Sequence, residues 1–576
     1  MDWEKTYTEW RNFEGLDEAL KKDLRNHEND KQSLEDAFYA PLEFGTAGMR
    51  GVLGAGINRM NIYTIRQATE GLALFIDSLN EDAKQKGVAI AYDCRHQSPE
   101  FSMEAAKTLG HHGIKAYVFE SLRPTPELSF AVRHLNAAAG IMITASHNPP
   151  EYNGYKVYGE DGGQMPPKEA EALTDFVRKI DNPLTVGVDS ETELKEKGLL
   201  EIIGEDVDQA YLEEMRTVTI DSELISRMQD ELKIVFTPLH GTGKMIGERA
   251  LKNAGFNQVY LVPEQAEPDA DFSTVKSPNP EDPQAFEYAI RLGKEIDADI
   301  LIATDPDADR LGLAVRTAKG HYEVLNGNQI ASLLLNYILT ALDKEKMVPK
   351  NARVVKSIVS SELPTAIAEK HGARMVNVLT GFKFIAEKIK EYETDPTNDF
   401  IFGFEESYGY LIKPFVRDKD AMQALVLVSE MAAYYKELGE SCFDVLQDLY
   451  QEHGHFVEKT ISVTMAGMDG AKQIDSLMRE LRENTPQAFG GVKIATVEDY
   501  QAQTHKSKVT GQETAIDMPP ANVLKYFLSD NSWIAIRPSG TEPKIKFYIG
   551  AYAASALEIT EKIRLFEKDI QEIVPK

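Results

Sequence analysis

Residues 87–119 read GVAIAYDCRHQSPEFSMEAAKTLGHHGIKAYVF. Val88 to Tyr92 form a short apolar run of strand length, and a polar loop follows. From Ser98 the spacing turns helical, with Ser98 read as the N-cap and Pro99 as the first helical residue. Gly113 ends the helix just before a second apolar run reaching Phe119. This is one strand–helix–strand unit. The same order recurs in residues 233–262, KIVFTPLHGTGKMIGERALKNAGFNQVYLV, and in residues 352–379, ARVVKSIVSSELPTAIAEKHGARMVNVL. Gly255 and Gly372 stand where Gly113 stands. Three diverged copies predict three tandem α/β domains of similar topology.

The chain has 576 residues, enough for about four domains of ordinary size. After residue 453 the pattern changes to a strand (HFVEKTISVTM), a helix (AKQIDSLMRELREN), a hairpin (SWIAIRPSGTEPKIKFYIGAY) and a closing helix from about Ala556, a smaller α+β domain. The expected division is an amphipathic helical extension over 1–40, domain 1 over 41–216, domain 2 over 217–323, domain 3 over 324–452 and domain 4 over 453–576. One central cleft is expected, with one loop from each domain.

A net charge of −29 disfavours nucleic-acid binding, and any anionic ligand needs a local concentration of positive charge. Two distant cysteines make neither a disulfide framework nor a cysteine metal cluster. No run reaches the ~18 apolar residues of a membrane span, and the N-terminus lacks an apolar signal core. A cytoplasmic protein without membrane partners is expected.

Chemistry is expected in the loops beyond the carboxyl ends of the parallel strands. Four stand out. In residues 140–156, GIMITASHNPPEYNGYK, an apolar strand runs into Ser146, beside His147 and ten residues before Lys156. Ser146 reads either as a nucleophile or as a turn serine satisfying backbone groups. In residues 298–312, ADILIATDPDADRLG, Asp305, Asp307 and Asp309 alternate after a buried strand. Three carboxylates so close repel unless a hard divalent cation sits among them, and an oxygen-only donor set favours Mg²⁺ over zinc. A solvated acidic turn is the other reading.

In residues 400–410, FIFGFEESYGY, Glu405, Glu406 and Ser407 suit hydrogen bonding to sugar hydroxyls, and suit a surface turn equally. In residues 537–544, RPSGTEPK, an arginine, two hydroxyls and a glycine backbone make a phosphate cradle. No Walker A sequence, kinase catalytic loop, HExxH or GxSxG occurs, and the GTGKMIG of residues 241–247 has the wrong spacing for a Walker A loop. Phosphoryl transfer within a sugar phosphate, through serine, fits these parts.

Together TASHNP, DPDADR, GFEESYG and RPSGTEPK resemble, in order and over essentially the whole chain, the α-D-phosphohexomutase superfamily, and within it the longer bacterial members acting on glucose phosphates. The resemblance implies that Ser146 carries a phosphoryl group and that Ser146, Asp305, Asp307 and Asp309 hold Mg²⁺, with Arg310 contacting the phosphoserine region. Lys156 would be the general acid/base, assisted by His147 and Arg50. Lys383 would tell the sugar's two faces apart. Glu405 and Ser407 would bind its hydroxyls, and Arg537, Ser539, Gly540 and Thr541 the non-reacting phosphate. It implies glucose 1-phosphate and glucose 6-phosphate as substrates, glucose 1,6-bisphosphate as intermediate and activator, and a monomer or weak homodimer. Phosphomannomutase or phosphopentomutase activity, a Mg²⁺-dependent sugar-phosphate phosphatase and a non-catalytic sensor are the alternatives.

Overall fold

The computed structural model of the protein describes residues 2–45, 48–465, 470–539 and 544–574. It divides into two compact units. The first comprises residues 1–325, 386–394 and 407–441; the second comprises residues 326–385, 395–406 and 442–576.

The first unit opens with three short helices, Trp3–Asn12, Glu18–Asn26 and Lys31–Phe38, within the expected helical extension. Each is capped by an aspartate (Asp2, Asp17, Asp30) whose carboxylate accepts from backbone N–H groups of the first turn. Trp10 is buried edge-to-face against Phe38 and Tyr63, at 5.7 and 5.5 Å, which anchors the helices to Ile62–Leu79.

Two sheets follow. In the first, the parallel strands Ala116–Phe119, Val88–Tyr92 and Ala139–Ile143 lie in that order, and Tyr152–Gly159 continues them antiparallel. In the second, Val259–Leu261, Ile234–Thr237 and Ile300–Thr304 repeat the parallel order, continued antiparallel by Leu311–Arg316. The second unit has the same parallel arrangement in Arg374–Val378, Ala352–Ser357 and Asp399–Glu405. In all three, the first strand in sequence is central and the next two flank it. The chain is thus α/β with three tandem domains of like topology.

The C-terminal domain, also in the second unit, is an antiparallel sheet in which His455–Thr464 pairs with Lys544–Ala553, and that strand with Trp533–Pro538. The helices Gly470–Glu483 and Ala556–Ile573 pack on it through a core that includes Leu477, Phe547 and Phe566.

One sequence reading needs correction. Ser98 is the first helical residue of Ser98–His111, not its cap; the cap position is Gln97, at φ 63°. The Ser98 hydroxyl is drawn off by Asp93, to which it donates at 3.0 Å. The helix Ala421–Glu437, in the sequence of the third domain, belongs to the first compact unit. There the Glu430 carboxylate accepts from the Ile220 and Asp221 N–H groups, and Lys436 pairs with Asp299 at 2.8 Å.

Candidate functional site

The strand Ala139–Ile143 ends in Thr144, and Ser146 follows at φ 52°, a left-handed conformation that costs a non-glycine residue free energy. The loop is held from both sides. The Ser146 N–H donates to Thr144 Oγ1 at 2.8 Å, and the Arg95 guanidinium donates to the Ser146 carbonyl at 2.6 Å. The buried Ser146 Oγ donates to Asp305 Oδ2 at 2.8 Å and lies 3.2 Å from His147 Nδ1. His147 is pushed down to about 3, by burial and then by the charges of Arg310 and Arg50, so the imidazole is neutral at ordinary pH.

Asp305, Asp307 and Asp309 follow the strand Ile300–Thr304 and are all buried. The loop turns through Ala308 at φ 51°, and Asp305 Oδ1 accepts from the N–H groups of Asp309 and Arg310 at 3.1 Å each. One oxygen of each aspartate lies within 4.8 Å of the others, an arrangement able to hold a metal ion. Asp307 Oδ1 and Asp309 Oδ1 are buried with no hydrogen-bond partner among the described residues. Orphaned carboxylate oxygens are costly, and a hard cation with oxygen ligands is the group that fits them. Burial, then the charges of Asp307 and Asp309, hold Asp305 well above the usual carboxylate range.

The positive charge that the site requires is also present. Lys156 lies on the strand Tyr152–Gly159, opposite Met142. Its ammonium donates to Asp307 Oδ2 at 2.9 Å, which also accepts from Thr125 Oγ1 at 2.8 Å. Burial alone would raise Asp307, but Lys156 and these hydrogen bonds hold it below the usual range. Arg310 pairs with Glu281 at 2.6 Å, and the exposed Arg50 donates to Asn148 Oδ1 at 2.7 Å.

Three features escaped the sequence reading. Lys419, buried, lies 3.2 Å from Asp309 Oδ2 and 3.1 Å from Asp418 Oδ1. It immediately precedes the helix Ala421–Glu437, whose cap, Asp420, is fixed by Tyr211 at 2.8 Å. Asp93 and Arg95 grip the serine loop. The GTG of residues 241–243 supports the aspartate loop: a Cβ on Gly241 would lie 2.4 Å from Pro306 Cα, and the Thr242 N–H donates to the Pro306 carbonyl at 2.8 Å.

The remaining predicted residues fall as follows. Ser407, half-buried, belongs to the first unit. In the second unit, Glu405 is buried at the end of its strand, and the neighbouring Glu406 accepts from Ser357 Oγ at 2.8 Å. Lys383 is half-buried in the first turn of Phe382–Thr394, with its ammonium 5.2 Å from the Phe384 ring centroid. Arg537, half-buried near the end of Trp533–Pro538, hydrogen-bonds to Tyr548, and Glu406 and Glu405 act on the same tyrosine. The second unit therefore brings Glu405, Glu406 and Arg537 around one buried phenol. The Ser539 N–H donates to the Lys544 carbonyl at 2.7 Å. Gly540 and Thr541 lie outside the described residues.

Four domains of one family match in order: phosphoglucomutase/phosphomannomutase α/β/α domain I over residues 41–184, domain II over 209–320, domain III over 326–453 and the C-terminal domain over 481–564. The chain belongs to the phosphoglucomutase/phosphomannomutase family. A phosphoglucomutase of Staphylococcus epidermidis is 42% identical over 549 residues, 95% of this chain and 97% of its own. One from Staphylococcus aureus is 40% identical over 554 residues, 96% of this chain and 97% of its own. The fold of the family is also that of the exocytosis-sensitive phosphoprotein parafusin (phosphoglucomutase) from Paramecium, in open form. Its TM-score is 0.68 at 17% identity, covering 93% of this chain and 95% of that one. A family protein from Burkholderia thailandensis has a TM-score of 0.65 at 18% identity, covering 92% of this chain and 97% of that one. Among the described residues no helix is long and apolar enough to cross a membrane.

Proposed function

We propose that this enzyme interconverts α-D-glucose 1-phosphate and glucose 6-phosphate in the cytoplasm, through a phosphorylated Ser146 and a glucose 1,6-bisphosphate intermediate. The observation that carries the mechanism is the contact of Ser146 Oγ with Asp305, at 2.8 Å, within a carboxylate trio whose other members have orphaned buried oxygens. The substrate follows from the phosphoglucomutases that share 40–42% of the sequence over nearly the whole chain.

In the first half-reaction the P–Oγ bond of phosphoserine 146 breaks and a bond forms from phosphorus to O6 of glucose 1-phosphate. The Lys156 ammonium gives a proton to the departing Oγ, which becomes the serine hydroxyl, and the resulting amine takes the O6 proton. The bisphosphate then turns over, and the 1-phosphoryl group moves to Ser146 Oγ by the reverse step, returning the proton to O1. Asp305, Asp307, Asp309 and Ser146 would hold Mg²⁺, which would supply charge neutralisation when bound. A phosphoserine adds about −1.5 to −2 charges beside three carboxylates, so Lys156, Lys419, Arg310 and Arg50 are needed to offset it. Neutral His147 keeps another positive charge off the serine. Glu405 and Ser407 read the sugar hydroxyls and Lys383 its faces. Arg537, Ser539, Gly540 and Thr541 hold the phosphate that does not react.

Conversion of each sugar 1-phosphate to its own phosphate isomer, with glucose 1,6-bisphosphate and Mg²⁺ present, compared across glucose, mannose and ribose 1-phosphates, tests the reading. The highest kcat/KM is expected for glucose. The family's joint designation makes mannose the second reading, and a higher kcat/KM for mannose would establish it. Stoichiometric release of inorganic phosphate would instead indicate a phosphatase.

A further inference from the structure

Arg95 touches none of the groups assigned a chemical role, yet it is among the largest fully buried side chains of the protein. Its guanidinium donates four hydrogen bonds, all to backbone carbonyls of the serine loop. Nη2 serves Ser146 at 2.6 Å and Asn148 at 2.5 Å; Nη1 serves Pro149 at 2.8 Å and Tyr152 at 3.0 Å. Its Nε lies 3.3 Å from Asp93 Oδ2, and the Phe272 ring covers the guanidinium, 4.9 Å from Cζ. Asp93 in turn accepts from Thr144 Oγ1 at 2.6 Å, and Thr144 Oγ1 accepts the Ser146 N–H at 2.8 Å. Both backbone polar groups of Ser146 therefore end on one buried ion pair, and Ser146 itself is held at φ 52°.

Four carbonyls of one loop converge on a planar fork of donors. A lysine ammonium presents three donors from a single point and cannot serve them all. The loop needs such a hold, because a left-handed serine is not the conformation that an unrestrained chain chooses.

We infer that Arg95, oriented by Asp93, is a positioning residue for phosphoryl transfer, fixing the Ser146 backbone in the left-handed conformation that aims Oγ at Asp305. The inference rests on the reading of Ser146 as phosphoryl carrier, and it adds a residue from a different loop whose role is geometric.

The test compares wild type, Arg95→Ala and Arg95→Lys for kcat, KM, Tm and phosphate on Ser146 by intact mass, with and without millimolar guanidinium. A misplacement of about 1 Å at a reacting centre costs roughly 100-fold, so Arg95→Ala is expected to lose about that much kcat with KM within about threefold. Arg95→Lys is expected to stay folded, with Tm near wild type, and still to lose about 10-fold or more in kcat, because its charge is kept and its fork is not. Guanidinium is expected to restore about 10-fold of the turnover of Arg95→Ala and none of that of Arg95→Lys, whose ammonium fills the space. The inference is overturned if either variant keeps kcat within about twofold of wild type, if KM rises while kcat stays, or if folded Arg95→Ala gains nothing from guanidinium. Where Arg95→Ala does not fold, the kcat of Arg95→Lys decides alone. A wild-type enzyme with neither mutase turnover nor phosphate on Ser146 would break the reading of Ser146 instead, and the control in the same series reports it.

Discussion

The loops of the first unit and those of the second use charge in opposite ways. In the first, apart from Arg50 and Arg310, the site's charges are buried and answer one another: Lys156 with Asp307, Lys419 with Asp309 and Asp418, Arg95 with Asp93. In the second, the residues expected to meet substrate charge, Lys383 and Arg537, are half-buried at the ends of their elements. Its buried lysines, Lys356 and Lys525, are spent on structure: Lys356 donates to Glu362 at 3.0 Å, and Lys525 to the Ile358 carbonyl at 2.6 Å between the rings of Phe527 and Trp533. A pre-paired, dry site can aim a nucleophile and stabilise developing charge, whereas a half-exposed cation receives a phosphate that arrives with its own water. The contrast teaches that the first set should govern kcat and the second KM.

The sharpest way to break this contrast is Lys156→Met. Loss of a positioned acid/base group is expected to lower kcat by about 10²–10⁴-fold, with KM little changed. A change confined to KM would place Lys156 with the binding residues. Arg537→Ala is expected to act the other way, raising KM about 10–100-fold by loss of a charge-assisted contact, with a smaller change in kcat. Steady-state kinetics on both variants put the two units side by side.

Metal linkage is the next largest effect. Adding Mg²⁺ at 100 times its dissociation constant is expected to stabilise the protein by about 2.7 kcal/mol, seen as a rise in Tm that EDTA reverses. Asp307→Asn should lose most of that shift, and an undiminished shift would detach the aspartate loop from the metal.

The smallest effect sharpens the comparison from the second unit. Burial, then the charge of Lys356, pushes Lys525 down to about 8. Its folded pKa lies below its unfolded one, so between about pH 8 and 10.5 the unfolded chain binds the extra proton, and this group makes stability rise with pH across that window. Calorimetry from pH 8 to 10.5 should show Lys525→Met lacking this contribution, its Tm falling more steeply with pH than that of wild type. Identical slopes would mean that Lys525 is not desolvated as its surroundings indicate.

Much of this arrangement was legible because the decisive loops are contiguous. Asp305, Asp307 and Asp309 follow one apolar strand, and their alternation alone announces a cation problem. What escaped was whatever depends on strand register or on returns from far along the chain. Asp93 and Arg95 lie some fifty residues before Ser146, and they meet its loop because Tyr92 stands opposite Ile143 in a parallel pair. The sequence YDCR at a strand end held that signal, but only the pairing gives it meaning. Lys419 arrives more than a hundred residues after Asp309, carried by a helix whose sequence neighbours lie in a different unit. The GTG of residues 241–243, excluded as a Walker A loop by its spacing, supports the aspartate loop instead, Gly241 close to Pro306 and Gly243 close to Thr304. The Ser98 cap failed because a nearby carboxylate outcompeted the helix for one hydroxyl.

The central claim is that Ser146 is the atom through which phosphate passes. Intact-mass measurement of the full chain after incubation with glucose 1,6-bisphosphate and Mg²⁺ addresses it directly. One added phosphate on wild type is predicted, absent from Ser146→Ala, which should retain almost no turnover. Wild-type turnover without that increment, or an alanine variant turning over at the wild-type rate, would contradict the account.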